Sequence, residues 1–264
     1  MKKCLTLSAL SIAFLAGSAN ANTVDLTTAG SSGSINGAQF FQYSANLPTG
    51  SGVFGPFLRV QKNGVESGYN TNGALQFDTK SGAWTHAIQL GDIPLINGYR
   101  QFSLDINETS SGTNPLLLLD QVELFVTSNA NLTGYSSGSF AGATKVYDMD
   151  NPAGTPTPNN WVKMDYNLSG SGSGRVDMLM YVPDSYFTAG GANSSSYVVM
   201  YSKFGTVFGA DGGLDASAGF EEWSINQLAV APHPVPLPAA AWLLGSGLIG
   251  LAGFGRRRDI AKAA

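Results

Sequence analysis

The fold class is decided by the stretch Asn97-Gly98-Tyr99-Arg100-Gln101-Phe102-Ser103-Leu104-Asp105-Ile106-Asn107. Asn-Gly is the residue pair most typical of a two-residue hairpin turn. After this turn, apolar residues at every second position alternate with polar ones, which is the pattern of a strand with one buried face. The stretch therefore predicts a half-buried β-strand that is entered through a tight turn.

Similar alternation recurs between Asn22 and Val230, separated by glycine-rich turns. It predicts strands at Phe57–Val60, Trp84–Leu90, Val122–Val126, Tyr197–Phe204 and Trp223–Val230. On the strand at Trp84–Leu90, His86 shares a face with Trp84 and Ile88 and is expected to be a buried core histidine.

Two pairs of neighbouring segments are interpreted as antiparallel hairpins. Asn63-Gly64 follows the strand at Phe57–Val60 and predicts a turn there. Val162–Leu168 and Val176–Val182 alternate on either side of a Gly-Ser run and are predicted to pair with each other.

The composition favours a single all-β domain. Only 12% of the 264 residues are charged and 33 are glycine, which suits turns and short strands better than long helices. About eight to ten strands are expected, and that number is typical of a two-sheet antiparallel sandwich of jelly-roll type. Besides a helical turn near Asp184–Phe187, helices are expected only at the two ends of the chain.

The N-terminus has the three regions of a secretory signal peptide. Lys2 and Lys3 precede an apolar run, and Ala19-Asn20-Ala21 places small residues at positions that signal peptidase recognises. We expect residues 1–21 to form a signal helix that is cleaved after Ala21. A buried N-terminal helix is the alternative.

The C-terminus has the pattern of a membrane anchor. Residues 239–255 form seventeen uncharged positions, a minimal transmembrane helix, and a buried core helix is the alternative. Arg256, Arg257 and Arg258 follow and keep the tail at 256–264 cytoplasmic by the positive-inside rule. The four prolines within residues 231–238 predict an extended linker.

This C-terminal segment resembles the PEP-CTERM sorting tail of Gram-negative bacteria. The resemblance rests on Val235-Pro236-Leu237-Pro238, the Ala-Ala-Ala-Trp continuation, the glycine-rich helix and the arginine cluster. The family's motif is Val-Pro-Glu-Pro, and Leu237 stands where the glutamate would be. The resemblance implies processing by an exosortase after transient anchoring in the inner membrane, followed by location at the cell surface or in the extracellular matrix.

Charge and cysteine content exclude several classes. Residues 22–234 contain eight basic and seventeen acidic residues, a net charge of −9, so nucleic acid is not an expected partner. The only cysteine is Cys4, within the expected signal peptide, so the mature domain has no disulfide.

No catalytic motif is visible in the sequence. The two histidines are His86 and His233, no serine has a nucleophile-elbow sequence, and zinc-type histidine clusters are absent. Glu221 and Glu222 are adjacent, so on a strand they point to opposite faces and do not flank one glycosidic bond. Asp105 with Glu108, and Asp120 with Glu123, are the remaining candidate carboxylate pairs, and we expect no enzymatic activity.

Two kinds of binding site are suggested. Asp148, Asp150 and Asn151 offer hard oxygen ligands in a turn, which suits a structural calcium ion, and solvated turn carboxylates are the alternative. Trp84, Trp161 and Trp223 are candidates for a sugar-stacking platform or for core packing.

The leading hypothesis is a non-catalytic surface or matrix protein whose β-sandwich binds exopolysaccharide. The rival is a secreted glycan hydrolase on the same scaffold. A deep cleft with two carboxylates about 5–10 Å apart would favour the hydrolase, whereas a shallow aromatic face would favour the binding protein.

Overall fold

The fold was analysed in a computed structural model of the chain. The structure describes residues 22–43, 54–110, 115–150, 160–170, 174–205, 214–217 and 219–226. The regular elements of the described residues are almost all β-strands, in mainly antiparallel sheets with few helices, so the expectation of an all-β domain is confirmed.

Sheet I has seven strands. They are β1 (Thr23–Asp25), β6 (Glu66–Tyr69), β7 (Ile88–Gln89), β10 (Leu116–Thr127), β11 (Thr144–Asp148), β12 (Trp161–Asp165) and β14 (Tyr197–Phe204). The order is β1-β12-β10-β14-β6, with β11 also on β10 and β7 also on β14. Among the described strands of this sheet, only β1 and β12 pair in parallel.

Sheet II also has seven strands. They are β2 (Ser32–Ile35), β3 (Ala38–Gln42), β4 (Pro56–Val60), β8 (Leu95–Ile96), β9 (Tyr99–Asp105), β13 (Met178–Pro183) and β16 (Glu221–Ser224). The order is β2-β3-β13-β9-β16-β4, with β8 also on β9. The short strands β5 (Asn63–Gly64) and β15 (Ala216–Ser217) form a separate two-stranded ribbon.

The main core lies between the two sheets. Leu124 and Met200 from sheet I and Leu104, Met180 and Trp223 from sheet II belong to the same buried apolar cluster. Alternation along each strand turns the residues between them outward, where each sheet carries a smaller cluster of its own. The molecule therefore has an inner core and two outer apolar clusters.

The hairpin predicted at Asn97-Gly98 is confirmed. Ile96 pairs with Tyr99 across the turn, and Asn97 and Gly98 have φ angles of 50° and 84°. Two consecutive positive φ angles define the type I′ turn, which matches the twist of the flanking strands. This explains why an Asn-Gly pair is found there.

The other two predicted hairpins are wrong. β4 belongs to sheet II and β6 to sheet I, so the chain crosses between the sheets around Asn63-Gly64 and those residues pair with β15 instead. β12 and β13 likewise lie in different sheets and do not pair. In both places the strand positions were predicted correctly and the partners were not.

Of the strand predicted at Trp84–Leu90, only Ile88–Gln89 forms a strand, β7. His86 is exposed and is not a core residue. The reason is that the backbone amides of this segment find partners outside a strand ladder. His86 N donates to the Phe57 carbonyl at 3.0 Å, and Ala87 N donates to the Asn72 side chain at 2.9 Å.

The helical turn expected near Asp184–Phe187 is present as α1 (Asp184–Ala189), and short 3-10 turns occur at Leu90–Asp92 and Tyr166–Leu168. Within the described part of the chain, none of the helices has the length and apolar character needed to cross a membrane. The predicted signal helix at 1–21 and the predicted transmembrane helix at 239–255 lie outside the described residues.

Candidate functional site

The outer side of sheet I carries aromatic residues from three adjacent strands. Tyr69 lies on β6, Tyr201 on β14 and Phe125 on β10. They point outward because their neighbours Leu124 and Met200 point into the main core. Strand alternation therefore builds the first layer of an aromatic cluster.

A second layer comes from the segments that cross this sheet face. The six aromatic residues of both layers, here called the aromatic face, are Tyr69, Phe77, Phe125, Tyr135, Phe140 and Tyr201. Tyr135 stacks on Tyr201 with ring centroids 4.1 Å apart and planes 10° apart. Phe77 meets Tyr135 edge-on at 5.9 Å and Tyr201 at 6.1 Å.

Phe77 is the exposed member of this face. It is 53% exposed, whereas Phe125 and Tyr69 are almost fully buried. Its φ angle of 59° lies in the left-handed region, which a bulky residue adopts only with strain of about 1–3 kcal/mol. The surrounding contacts thus hold a phenyl ring at the surface in an unfavourable backbone conformation, which is more typical of function than of packing.

Polar groups border the exposed ring. The Gln76 side-chain oxygen accepts hydrogen bonds from the Tyr69 hydroxyl and from the Gly134 amide, the latter at 3.0 Å. These bonds tie the segment that carries Phe77 to the segment that carries Tyr135. The arrangement is a shallow apolar surface with fixed polar neighbours, which suits a ligand that has apolar and hydroxylated parts.

Hydrogen bonds to charged side chains fix the position of the Tyr135 hydroxyl. The Tyr135 hydroxyl donates to Glu123 at 2.7 Å, and the Lys145 ammonium bonds to Glu123 and to Asp148 at 2.7 Å each. Burial opposes the charge of Lys145, but the two carboxylates outweigh burial and raise the lysine pKa. Burial, and then the charge of Glu123, raise the pKa of Tyr135, so this phenol stays protonated.

The residues predicted to bind calcium have protein partners. Asp148 bonds to Lys145 and accepts a bond from the Asp150 amide at 2.9 Å, while Asp150 accepts one from the Asn160 amide at 2.8 Å. Burial raises the pKa of Asp150 to about 7. Asn151 lies outside the described residues.

Among the residues that the structure describes, no group of three or more His, Cys, Asp or Glu side chains is arranged to hold a metal ion. A cation at Asp148 would have to displace the Lys145 ammonium. The calcium site stays a prediction.

The candidate carboxylate pairs are separated by their partners. Asp120 bonds to Lys203 at 2.8 Å, whereas Glu123 bonds to Lys145. Asp105 accepts a bond from the Gly174 amide at 2.7 Å, whereas Glu108 accepts one from the Ser217 amide at 2.9 Å, and both carboxyl groups are buried. Burial raises the pKa of Asp105 to about 7, yet a glycan has no access to carboxyl groups buried in this way.

Glu221 and Glu222 point to opposite sides of β16, as predicted. Glu222 forms an ion pair with Arg59, whereas Glu221 faces Glu66 and Glu108. Both glutamates are fully buried, so neither is presented to a substrate on the protein surface.

The tryptophans do not form a sugar platform. Trp223 is fully buried in the main core, and Trp84 lies against the Arg59 guanidinium at 4.2 Å. Trp161 is half-buried on β12. No local pattern points to Phe77, because it stands in an irregular segment between β6 and β7 and lies beside Tyr135 and Tyr201 only through tertiary contacts.

The sorting and processing residues lie outside the described part of the chain. They are the signal-cleavage residues Ala19 and Ala21, the motif Val235–Pro238, and the cluster Arg256, Arg257 and Arg258. Their roles stay predictions from the sequence.

Comparison of the chain with models of protein families gave no match. Comparisons with curated proteins and with solved structures gave no match either.

Proposed function

We propose that this chain is an exported, non-catalytic surface or matrix protein whose β-sandwich binds polysaccharide through the aromatic face. The observation that best supports this proposal is the position of Phe77. Its ring is exposed, its backbone is strained, and it lies beside the stacked Tyr135–Tyr201 pair. Sugar rings present C–H groups that pack on aromatic rings and hydroxyls that bond to polar neighbours. The Phe77 ring and the Gln76 amide offer both kinds of contact.

Export and sorting are proposed from the two ends of the sequence. The signal peptide would direct translocation, and the tail that resembles PEP-CTERM would hold the protein in the inner membrane until an exosortase processes it. A polysaccharide ligand fits a protein delivered to the cell surface.

We also propose that the two sheets form a jelly-roll type of sandwich. The supporting observation is that the chain passes between the sheets at several connections, including β9 to β10, β12 to β13 and β13 to β14. Such crossings are common in double-sheet jelly rolls.

The net charge restricts the class of polysaccharide that we expect to bind. A domain with a charge of −9 repels anionic polymers, so a neutral or amino-sugar polysaccharide is favoured over an acidic one. Burial of both Asp105 and Glu108 supports a binding role over hydrolysis.

The test is binding of the purified protein to a panel of immobilised polysaccharides, one neutral, one of amino sugars and one acidic. Replacing Phe77 by alanine removes one stacked ring, about 1–1.5 kcal/mol, and should weaken binding about tenfold. The matched control is Leu95→Ala, because Leu95 is also 53% exposed and lies on sheet II. Equal effects of the two substitutions, or no binding to any of the three polymers, would contradict the proposal.

A further inference from the structure

One end of the sandwich interior encloses three glutamates. Glu66 lies on β6 of sheet I, Glu221 lies on β16 of sheet II, and Glu108 follows β9. Glu221 points inward because it stands two residues before the core residue Trp223. Glu66 and Glu221 are fully buried, and Glu108 is 6% exposed.

The three carboxyl groups have few hydrogen-bond donors. Glu66 accepts a bond from the Lys62 amide at 2.6 Å, and Glu108 accepts bonds from the Ser217 hydroxyl and from the Ser217 amide, the latter at 2.9 Å. For Glu221, no donor in normal hydrogen-bond geometry reaches either oxygen. The Asn107 amide is nearby and is the weakest influence on its pKa.

Glu221 instead faces the other two carboxyl groups. Its side chain is within hydrogen-bond reach of Glu66 and of Glu108. Two carboxyl groups attract each other only when a proton lies between them, because two carboxylates repel. Burial raises the pKa of Glu221 far above its usual value and the pKa of Glu108 to about 7, and it also raises the pKa of Glu66.

No cation balances this cluster within the described residues. The Lys62 ammonium pairs with Asp78 at 3.5 Å, and neither lysine nor arginine forms an ion pair with any of the three glutamates. Around Glu66, Asp78 adds negative charge and Lys80 adds positive charge, both at longer range. Since no metal arrangement is present there either, protons are the remaining means of removing charge.

We propose that Glu66, Glu108 and Glu221 form a proton-sharing latch that closes this end of the sandwich in acidic and neutral solution and opens it in alkaline solution. While these protons are bound, the hydrogen bonds that Glu221 shares with its two neighbours join β6, β16 and the segment after β9. As the pH rises, these protons pass to water and the remaining carboxylates repel one another.

The latch also controls the ribbon of β5 and β15. Glu108 holds Ser217 of β15 through two donors, and Lys62, which bonds to Glu66, directly precedes β5. Opening of the latch therefore frees the ribbon and the start of β16. The latch is separate from the proposed polysaccharide site, because the aromatic face lies on the outer side of sheet I.

The decisive experiment compares Glu221→Gln with the wild-type protein, both full-length and purified, by thermal unfolding at pH 5 and pH 8. Glutamine keeps the shape of a protonated glutamate and donates a hydrogen bond at every pH. The wild-type Tm should fall between pH 5 and pH 8, since the folded state holds protons that the unfolded chain releases near pH 4.5. Glu221→Gln should match the wild type at pH 5 and exceed it by about 5 °C at pH 8.

The matched control is Asp92→Asn, which removes one negative charge from an exposed turn away from the cluster. It should leave the fall in Tm unchanged. Hydrogen exchange adds a local readout: amides of residues 63–66 and 216–217 should exchange faster at pH 8 in the wild type, but not in Glu221→Gln.

Three results would overturn the latch. One is an equal fall in Tm for the wild type and Glu221→Gln. Another is a wild-type Tm at pH 8 that rises with calcium and falls with a chelator, because a cation would then balance the charges. If Glu221→Gln does not fold, Glu66→Gln is measured in the same way, and failure of both variants to fold also refutes the proposal.

Discussion

The ion pair between Arg59 and Glu222 offers a sharp test of the packing in sheet II. Arg59 lies on β4 and Glu222 lies opposite on β16, where its carboxylate is fully buried. The guanidinium is also held between two rings, at 4.2 Å from the centroid of Trp84 and 4.5 Å from that of Phe220. Replacing Arg59 by alanine leaves the buried Glu222 carboxylate without its cation. It also removes two cation–π contacts.

The magnitude follows from these contacts. Removing one partner of a buried ion pair costs about 3–5 kcal/mol, and each cation–π contact adds about 0.5–1 kcal/mol. Arg59→Ala should therefore lower the free energy of unfolding by about 4–7 kcal/mol. Replacing both partners with apolar residues, Arg59→Met with Glu222→Leu, should recover most of this loss because neither partner is left as an unpaired buried charge.

Urea denaturation at pH 7 measures both variants, with Lys62→Ala as the control. Lys62 forms a solvent-exposed pair with Asp78 at 3.5 Å, so its removal should cost less than about 1 kcal/mol. The reasoning is refuted if Arg59→Ala costs no more than Lys62→Ala, or if the double variant is less stable than Arg59→Ala alone.

Two further predictions concern the fragment and the tail. Residues 22–230 should fold alone, with a circular dichroism spectrum of β-sheet and little helix; a strongly helical spectrum would contradict the all-β fold. Neutral residues in place of Arg256–Arg258 should leave unprocessed or mislocalised precursor, because the orientation signal is lost. Mass spectrometry of the protein from hosts with and without the exosortase checks this, and a persistent Arg256–Ala264 peptide in the normal host would contradict sorting.

Features that depend on a few neighbouring residues could be predicted from the sequence. The hairpin at Asn97-Gly98 is one, because the turn geometry depends on those two residues. The strand Tyr197–Phe204 is another, since its alternation is long enough to determine both its extent and its buried face.

Strand partners could not be predicted in the same way. Alternation indicates which residues of a strand are buried, but it does not indicate which strand pairs with it. The segments of β12 and β13 have similar patterns and are close in the chain, yet they lie in different sheets. Asn63-Gly64 also fits a hairpin turn, but the chain crosses between sheets there, so its amides pair with β15.

The candidate site was the least predictable part. The tryptophans were the expected aromatic platform, but Trp223 packs in the core and Trp84 against Arg59. Phe77, Tyr135 and Tyr201 stand in three distant parts of the sequence, and their meeting depends on how two irregular segments cross sheet I. Likewise, nothing local in the sequence indicates that Glu66, Glu108 and Glu221 converge.

The pairing of β4 with β16 has a consequence for folding kinetics. Arg59 and Glu222 are 163 residues apart in the chain, and Asn22 bonds to Asn160 across 138 residues. Contacts between such distant residues make folding slow, because a long loop must close before they form. Sheet II cannot be completed until Ser224 has left the ribosome. A chain that folds this late stays extended long enough to pass through a translocation channel, which is what the proposed export requires.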